Sequence, residues 1–409
     1  MSTLDAEVIV VGGGPAGAAS AWTLARGGRD VLVLDRATFP RSKPCAEYVS
    51  PEASRILQNM NVLSAAERAG ASLLTGMRVR APDGTELVGE FAAARDFHGS
   101  HTRGIALRRE RLDPLLLDAA RTAGARIREN AHVVDIVRAT GRVTGVVLAD
   151  GSALRAQLVI GADGLRSVVA RRLGLGIRAR WPRRIAFVTH YEGVTGMRDY
   201  GEMHVDRDGY VGLAPVDSGL VNVAVVIPAA LAHFAASDPG AFVANWVHRQ
   251  RQLEPRFTHA RRASPVIGTG PFGWRTRRAW SPGAALVGDA ADFFDPFTGE
   301  GIYAALRGAE LLGPYAHAVC ATTNPREERE ALEAYDRCRR DTFGGKWMVE
   351  RLVGLAVGWA PLMNRAARGL ATRRDLADTL VGVTGDVVPA ASVLRPSYAF
   401  ALAQAAFTG

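Results

Sequence analysis

The chain is poor in lysine, cysteine and long apolar runs, and each scarcity narrows its function. Of 50 basic residues only Lys43 and Lys346 are lysines; the rest are arginines. The arginines are scattered, with pairs at Arg108/Arg109, Arg171/Arg172, Arg261/Arg262 and Arg373/Arg374, not drawn into the stripe that a nucleic-acid surface uses. The formal charge of +9 therefore reads as a solvated surface, or as attraction to an acidic partner or membrane surface. Three cysteines, Cys45, Cys320 and Cys338, form no CxxC and no metal spacing. An odd, unpaired set points to a reducing compartment. The longest late apolar run, Leu352 to Met363, is interrupted by Pro361 and too short to span a bilayer. No basic segment precedes the first apolar run, so no signal peptide is expected, and a cytoplasmic protein is. The 409 residues, 48% hydrophobic, suffice for two domains or one elaborate one.

What is present begins at once. Glu7 to Val11 is a β-branched apolar run, as a buried parallel strand requires. It runs into Gly12-Gly13-Gly14-Pro15-Ala16-Gly17, then a helical stretch to Arg26 and a second strand, Val31 to Leu34, ending in Asp35. Gly12 permits the tight turn, Gly14 lets a pyrophosphate approach, and Gly17 lets helix and strand pack closely. The helix N-terminus stabilises phosphate charge, and Asp35 can accept from ribose hydroxyls. A complete strand–helix–strand–acid unit is specific for a dinucleotide, but does not separate FAD from NAD.

Two later stretches follow the same plan. Leu154 to Ile160 runs into Gly161-Ala162-Asp163-Gly164 and a helix near Arg166. Ala284 to Val287 runs into Gly288-Asp289 and, through "AADFFDPFTGEGIYAAL", into a helix near Thr298 or Gly299. With "RSKPCAEYVSP" and "RRERLDPLLLDAA", these motifs make the chain resemble the FAD-dependent oxidoreductases of the para-hydroxybenzoate hydroxylase superfamily, and within it the geranylgeranyl-reductase-like branch. The resemblance covers residues 8 to about 310.

That resemblance implies an α/β fold: a Rossmann-like, GR2-type FAD-binding domain with an inserted antiparallel β-sheet substrate domain and a helical C-terminal region. Residues 1–75, 103–180 and 280–345 would form the FAD-binding domain, 76–102 and 181–279 the substrate domain, and 346–409 the helical region. Gly12, Gly14, Gly17 and Asp35, with Pro15, Ala16 and Arg36 beside them, would hold the adenosine and pyrophosphate. Arg109 would lie along the FAD, and the backbone of Val133 or Val134 would meet the adenine. Asp163 and Gly164 would shape the region between FAD and nicotinamide. Gly288 and Asp289 would contact the ribityl chain or pyrophosphate, and Pro296, Gly299, Glu300, Gly301 and Ile302 would run under the flavin. Free amides at a helix start there suit the negative N1–C2=O edge of a reduced flavin. No metal is expected, because the spacing of Asp289, Asp292 and Asp295 fits no calcium loop.

Related reductases carry a lysine and a cysteine, then Gly-Glu and Ser-Pro, where this chain has Lys43, Cys45, Ala46-Glu47 and Ser50-Pro51. Cys45 would sit near the flavin or only pack a tight corner; Glu47 or Tyr48 would orient a substrate or pass a proton. Residues 183–194, 201–205, 210–216 and 220–227 read as antiparallel strands joined by hairpins, with more strands between Gly76 and Thr102. Prenyl reductases show Gly-Tyr-x-Trp-x-Phe-Pro in this sheet. Here Gly209, Tyr210 and Pro215 are kept, but Gly212 and Ala214 replace the two large aromatics, which implies a wider pocket. Tyr210 would line that pocket or pack the hairpin. Trp347, Met348, Leu352, Leu355 and Trp359 form an apolar stripe open to three roles: core packing, a substrate entrance or a membrane contact.

FAD would carry the chemistry. The wider pocket favours an NAD(P)H-dependent monooxygenase, hydroxylating or epoxidising an apolar aromatic or polyketide-like metabolite through a flavin C4a-peroxide. The alternative is a geranylgeranyl-reductase-like reductase of C=C bonds, and a flavin-holding redox sensor is a third. No Trp-x-Trp-x-Ile-Pro marks a halogenase, and no second GxGxxG marks a nicotinamide domain. The donor would bind transiently, or a separate flavin reductase would replace it.

Overall fold

Strands without a polar face must pair with one another and be covered on both sides. The computed structural model describes residues 4–178, 183–217 and 219–408, and its central sheet is built from such strands. In chain order the elements that position the site are β1 (Ala6–Val11), α1 (Pro15–Arg26), β2 (Val31–Leu34), β3 (Gly76–Arg80), β4 (Glu86–Glu90), α2 (Arg109–Thr122) and β5 (Arg126–Arg128). Then come β6 (Val133–Ala139), β7 (Arg142–Leu148), β8 (Ala153–Gly161), β9 (Arg184–Glu192), β10 (Tyr200–Asp206), β11 (Gly209–Val216) and β12 (Leu220–Pro228). The last are β13 (Ala284–Leu286), α3 (Gly301–Ala321), α4 (Pro325–Val357), α5 (Ala360–Thr372), α6 (Arg374–Thr384) and α7 (Pro396–Thr408).

The central sheet runs β13-β8-β1-β2-β5, all parallel. Val8, Ile9 and Val10 are fully buried in it, and α1 packs against α2 and α3. The antiparallel pair β6 and β7 extends the edge of β8. A second sheet runs β9-β12-β11-β10-β3-β4. Its pairings are antiparallel except one: β10 lies parallel to β3, which is possible because the long chain between them supplies β5 to β8 of the first sheet before it returns. The architecture is thus a Rossmann-like, GR2-type FAD-binding fold with an inserted, largely antiparallel sheet and a helical C-terminal region.

The element ends differ from expectation by a few residues. Residues 296–298 form a single tight turn, so α3 starts at Gly301 rather than Thr298 or Gly299. The helix expected near Arg166 starts at Val168, capped by Ser167. The expected domain boundary at residue 180 and Ser218 of one predicted hairpin turn lie outside the described residues.

Alternation in the second sheet separates its faces. Phe187, Tyr191, Val223 and Val225 pack under the helix Pro239–His248. Ala186, Val188 and His190 stand opposite Val226, Ala224 and Asn222 on the other face, and the latter pair with Tyr210, Gly212 and Ala214. That face looks towards the C-terminal ends of the parallel strands, where open α/β sheets bind ligands.

Candidate active site

Gly12 has φ 102°, and a Cβ there would lie 2.5 Å from the carbonyl oxygen of Ala162. A Cβ on Gly17 would lie 1.7 Å from the carbonyl oxygen of Gly12. Both glycines are therefore required by the protein's own packing. Gly14 is different: a Cβ there meets only the Arg41 and Arg109 guanidinium groups, at 3.5 and 3.6 Å. The first turn of α1 has no side-chain cap and no acid. Free amides, a positive helix end and two guanidinium groups thus converge beside Gly14, which is the donor set of a pyrophosphate site.

Asp35 closes the turn. Its carboxylate accepts from Gly13 N at 2.7 Å and Ala37 N at 2.8 Å. Arg109 is buried and held by Asp113 through two bonds of 2.7 and 2.9 Å. Burial opposes its charge, but Asp113 outweighs it, and the guanidinium stays firmly protonated. Arg41 shares Asp113 at 3.2 Å. Lys43 lies beside them, its ammonium pushed down by burial and by Arg109 and supported by Asp289. Burial in turn raises Asp289, which Lys43 and Arg109 oppose.

A cavity of about 1470 Å³, its open mouth included, runs from Gly14, Pro15 and Ala16 past Lys43, Arg109, Gly164 and Asp289 to Pro296, Gly299, Gly301 and Ile302. Gly299 is left-handed at φ 74° over the ring of Tyr48. Amides at the start of α3 carry no side-chain cap. Glu300 does not line this cavity; it turns to the other side of the loop, against Lys346 at 3.3 Å. Asp163 spends one oxygen on Val168 N, at 2.6 Å, and its other oxygen is buried without a partner among the described residues. Gly288, at φ 62°, packs against Ala16 behind the wall. Asp289, Asp292 and Asp295 diverge, to Lys43, Arg339 and Arg184 respectively.

The segment 45–48 bridges cofactor side and sheet. Glu47 is left-handed, φ 61°, although it is neither glycine nor asparagine. Such a backbone persists only when its surroundings hold it. Its carboxylate accepts from Arg109 N at 3.1 Å, His190 Nε2 at 2.8 Å and Asn222 Nδ2 at 3.0 Å. Asn222 Nδ2 also donates to the Cys45 carbonyl at 2.9 Å. Ala46, which stands in place of a glycine, is not left-handed, so alanine fits there without strain. The clamp leaves Cys45, Glu47 and Tyr48 in the cavity wall, with the Cys45 sulfur facing Arg109. The Tyr48 hydroxyl is buried without a partner among the described residues, and burial, then Glu300, hold it well above the usual tyrosine value.

The roof is the small-residue face of the second sheet: Ala186, Gly201, Gly212, Ala214 and Ala224 line it with Met203, Met77 and Phe272. Gly212 opens space that Met203 partly reoccupies, its sulfur 3.3 Å from where a Cβ would stand. Tyr210 both lines the cavity and anchors it, its buried hydroxyl bonded to Asp295.

Two groups of expected residues stand apart. Arg36 is exposed, and Val133 and Val134 do not line the cavity; the Val134 carbonyl accepts from Arg172 at 3.2 Å. His190, Asn222, Arg41, Asp113, Arg184 and Asp295 were missed as a set. The signal for two of them is a polar side chain on an otherwise apolar strand face.

Phosphate-seeking charge at one end of this cavity and a slot bounded by backbone at the other fit a flavin dinucleotide, and define an FAD-dependent oxidoreductase. The family described as "FAD binding domain" matches residues 5–344, and the chain belongs to it, within the para-hydroxybenzoate hydroxylase-like flavoproteins. A digeranylgeranylglycerophospholipid reductase of Methanothrix thermoacetophila is 32% identical over 351 residues, 83% of this chain and 84% of the relative. A menaquinone reductase of Mycobacterium tuberculosis is 31% identical over 313 residues, 73% of each. The fold is shared with the flavin-dependent brominase Bmp2, at a TM-score of 0.82 and 19% identity over 97% of this chain and 98% of that one.

Proposed function

We propose that the protein is an FAD-dependent reductase of a carbon–carbon double bond in an apolar, isoprenoid-like substrate, with NAD(P)H as transient donor. The observation that carries this reading is the strained 45–47 segment, tied to the sheet through Asn222 and His190 with Cys45 in the cavity wall. Relatives 32% and 31% identical over the aligned 351 and 313 residues carry reductase names, which supports it. Residues 1–75, 103–180 and 280–345 hold the cofactor in this proposal, and 76–102 and 181–279 the substrate.

Bound FAD supplies the hydride chemistry. The chain's own residues bind, orient and protonate. Gly12, Gly14, Pro15, Ala16, Gly17 and Asp35 hold the dinucleotide end, with Arg41, Lys43 and Arg109 meeting its phosphates. The adenosine end would extend beyond this cavity, towards the exposed Arg36 and the backbone of Val133 or Val134, which lie outside it. Gly164, Asp289 and the 296–302 loop, backed by Asp163 and Gly288, would hold the ring, and Ile302 and the α3 amides would offer donors to its reduced, negative form. The sheet excludes water and seats the apolar substrate. Cys45 Sγ, in the cavity wall, would hold the proton for the reduced carbon, and Tyr48 Oη, kept neutral by burial, would be the nearby hydroxyl donor. The test is anaerobic turnover with NAD(P)H on a geranylgeranyl-bearing lipid and on a menaquinone. Products that carry two extra hydrogens in the isoprenoid chain, read after the quinone ring is reoxidised in air, support the reading; unchanged chains oppose it.

A second reading, oxygen insertion by a monooxygenase, is favoured by one observation: Gly212 and Ala214 leave the roof wider than the prenyl-reductase pattern would. It predicts oxygen-dependent NAD(P)H consumption and a product heavier by one oxygen.

A further inference from the structure

Eleven large apolar side chains are exposed among the described residues, and eight of them fall between Met348 and Phe407. On α4, Met348, Leu352 and Leu355, continued by Trp359, form one outward stripe at helical spacing; Trp359 is 61% exposed. The opposite face packs inward: Gly354 meets the Phe294 ring, and Val353 and Val357 join the cluster that holds Phe293 and Phe297 of the cavity wall. One helix therefore carries part of the cavity's support and an uncovered apolar face.

The charges on this surface are of one sign. Residues 342–372 contain a single acid, Glu350, which is half-buried and turned towards Glu300, and residues 387–409 contain none. Arg351, Arg365 and Arg395 are exposed, with no ion-pair partner among the described residues, whereas Arg368 is paired with Asp83. Arg365 lies over the Phe407 ring at 4.2 Å, which joins α5 and α7 into the same surface.

We infer that the outer face of α4, α5 and α7 docks on a bilayer bearing anionic headgroups. Exposed leucine, tryptophan and phenylalanine suit the headgroup–acyl boundary, and unpaired arginines suit anionic lipid. A second copy fits worse, because a two-fold interface sets a patch against itself and brings arginine to arginine. The assignment is independent of whether the cavity reduces or oxygenates its substrate.

The test is sedimentation of the full, FAD-loaded chain with phosphatidylcholine vesicles, with and without about a third phosphatidylglycerol. Binding about tenfold or more tighter to the anionic vesicles, weakened by salt, is expected. Leu355→Glu with Trp359→Glu, and separately Arg351→Glu with Arg365→Glu, should each lose it while flavin content and melting temperature hold. Equal, negligible sedimentation with both vesicles overturns the proposal. So does a dimer in solution that the same variants dissociate.

Discussion

The Tyr210 hydroxyl donates to one oxygen of Asp295 at 2.9 Å, while Arg184 holds the other at 2.8 Å. All three are buried, and Asp295 Oδ1 also accepts from Phe297 N at 3.1 Å. A residue of the roof thus sets the loop beneath the cavity. Tyr210→Phe removes one hydrogen bond and should cost about 1–2 kcal/mol. Arg184→Ala leaves a buried carboxylate without its cation and should cost about 3–5 kcal/mol. Denaturant unfolding of the holoprotein measures both, and flavin release should quicken in the same order.

Gly14 and Gly17 should part company. A Cβ at Gly17 meets backbone, so Gly17→Ala is expected to compromise folding. A Cβ at Gly14 fits the protein alone, so Gly14→Ala should keep the unliganded melting temperature and weaken FAD about tenfold or more. Equal loss of folding in both would remove the argument that Gly14 serves a ligand.

Cys45→Ala should retain fold and flavin, because the Cys45 side chain contributes only weak sulfur contacts, to Glu47 N and to Arg109, which Asp113 holds independently. Turnover of the acceptor should fall about a hundredfold, as for a lost proton donor, while reduction of the flavin by NAD(P)H is unchanged. Asn222→Ala, which frees the 45–47 segment, should instead raise KM for the acceptor.

Glu202 gives a pH signature. Burial alone would raise it, but hydrogen bonds from His204 and Arg256 pull it to about 2, from an ordinary 4.5. Its folded value is the lower one, so its stabilisation, roughly 3 kcal/mol, is complete above pH 4.5 and lost as pH falls towards 2. Unfolding free energies between pH 6 and 3 should fall less steeply in Glu202→Gln.

Much of this was legible in the residues. The 12–17 turn, Asp35, and the strands at 31–34 and 220–227 follow from side-chain size and period-two alternation, which local packing enforces. The clamp on Glu47 was not, because it joins residues 143 and 175 positions apart; only His190 and Asn222 on apolar faces hinted at it. Tyr210 left two readings open because its role depends on Asp295, 85 residues away. The outward stripe on α4 has the spacing of a core stripe, and only the positions of α5 and α7 decide that it is uncovered.

The reduced, FAD-loaded protein, prepared without oxygen and mixed on millisecond times either with an isoprenoid acceptor or with oxygenated buffer, tests the central claim most directly. The account predicts that the acceptor restores the oxidised flavin spectrum much faster than oxygen does, and that Cys45→Ala abolishes this advantage. Rapid reoxidation by oxygen through a transient absorbing species, with no response to the acceptor, would contradict it.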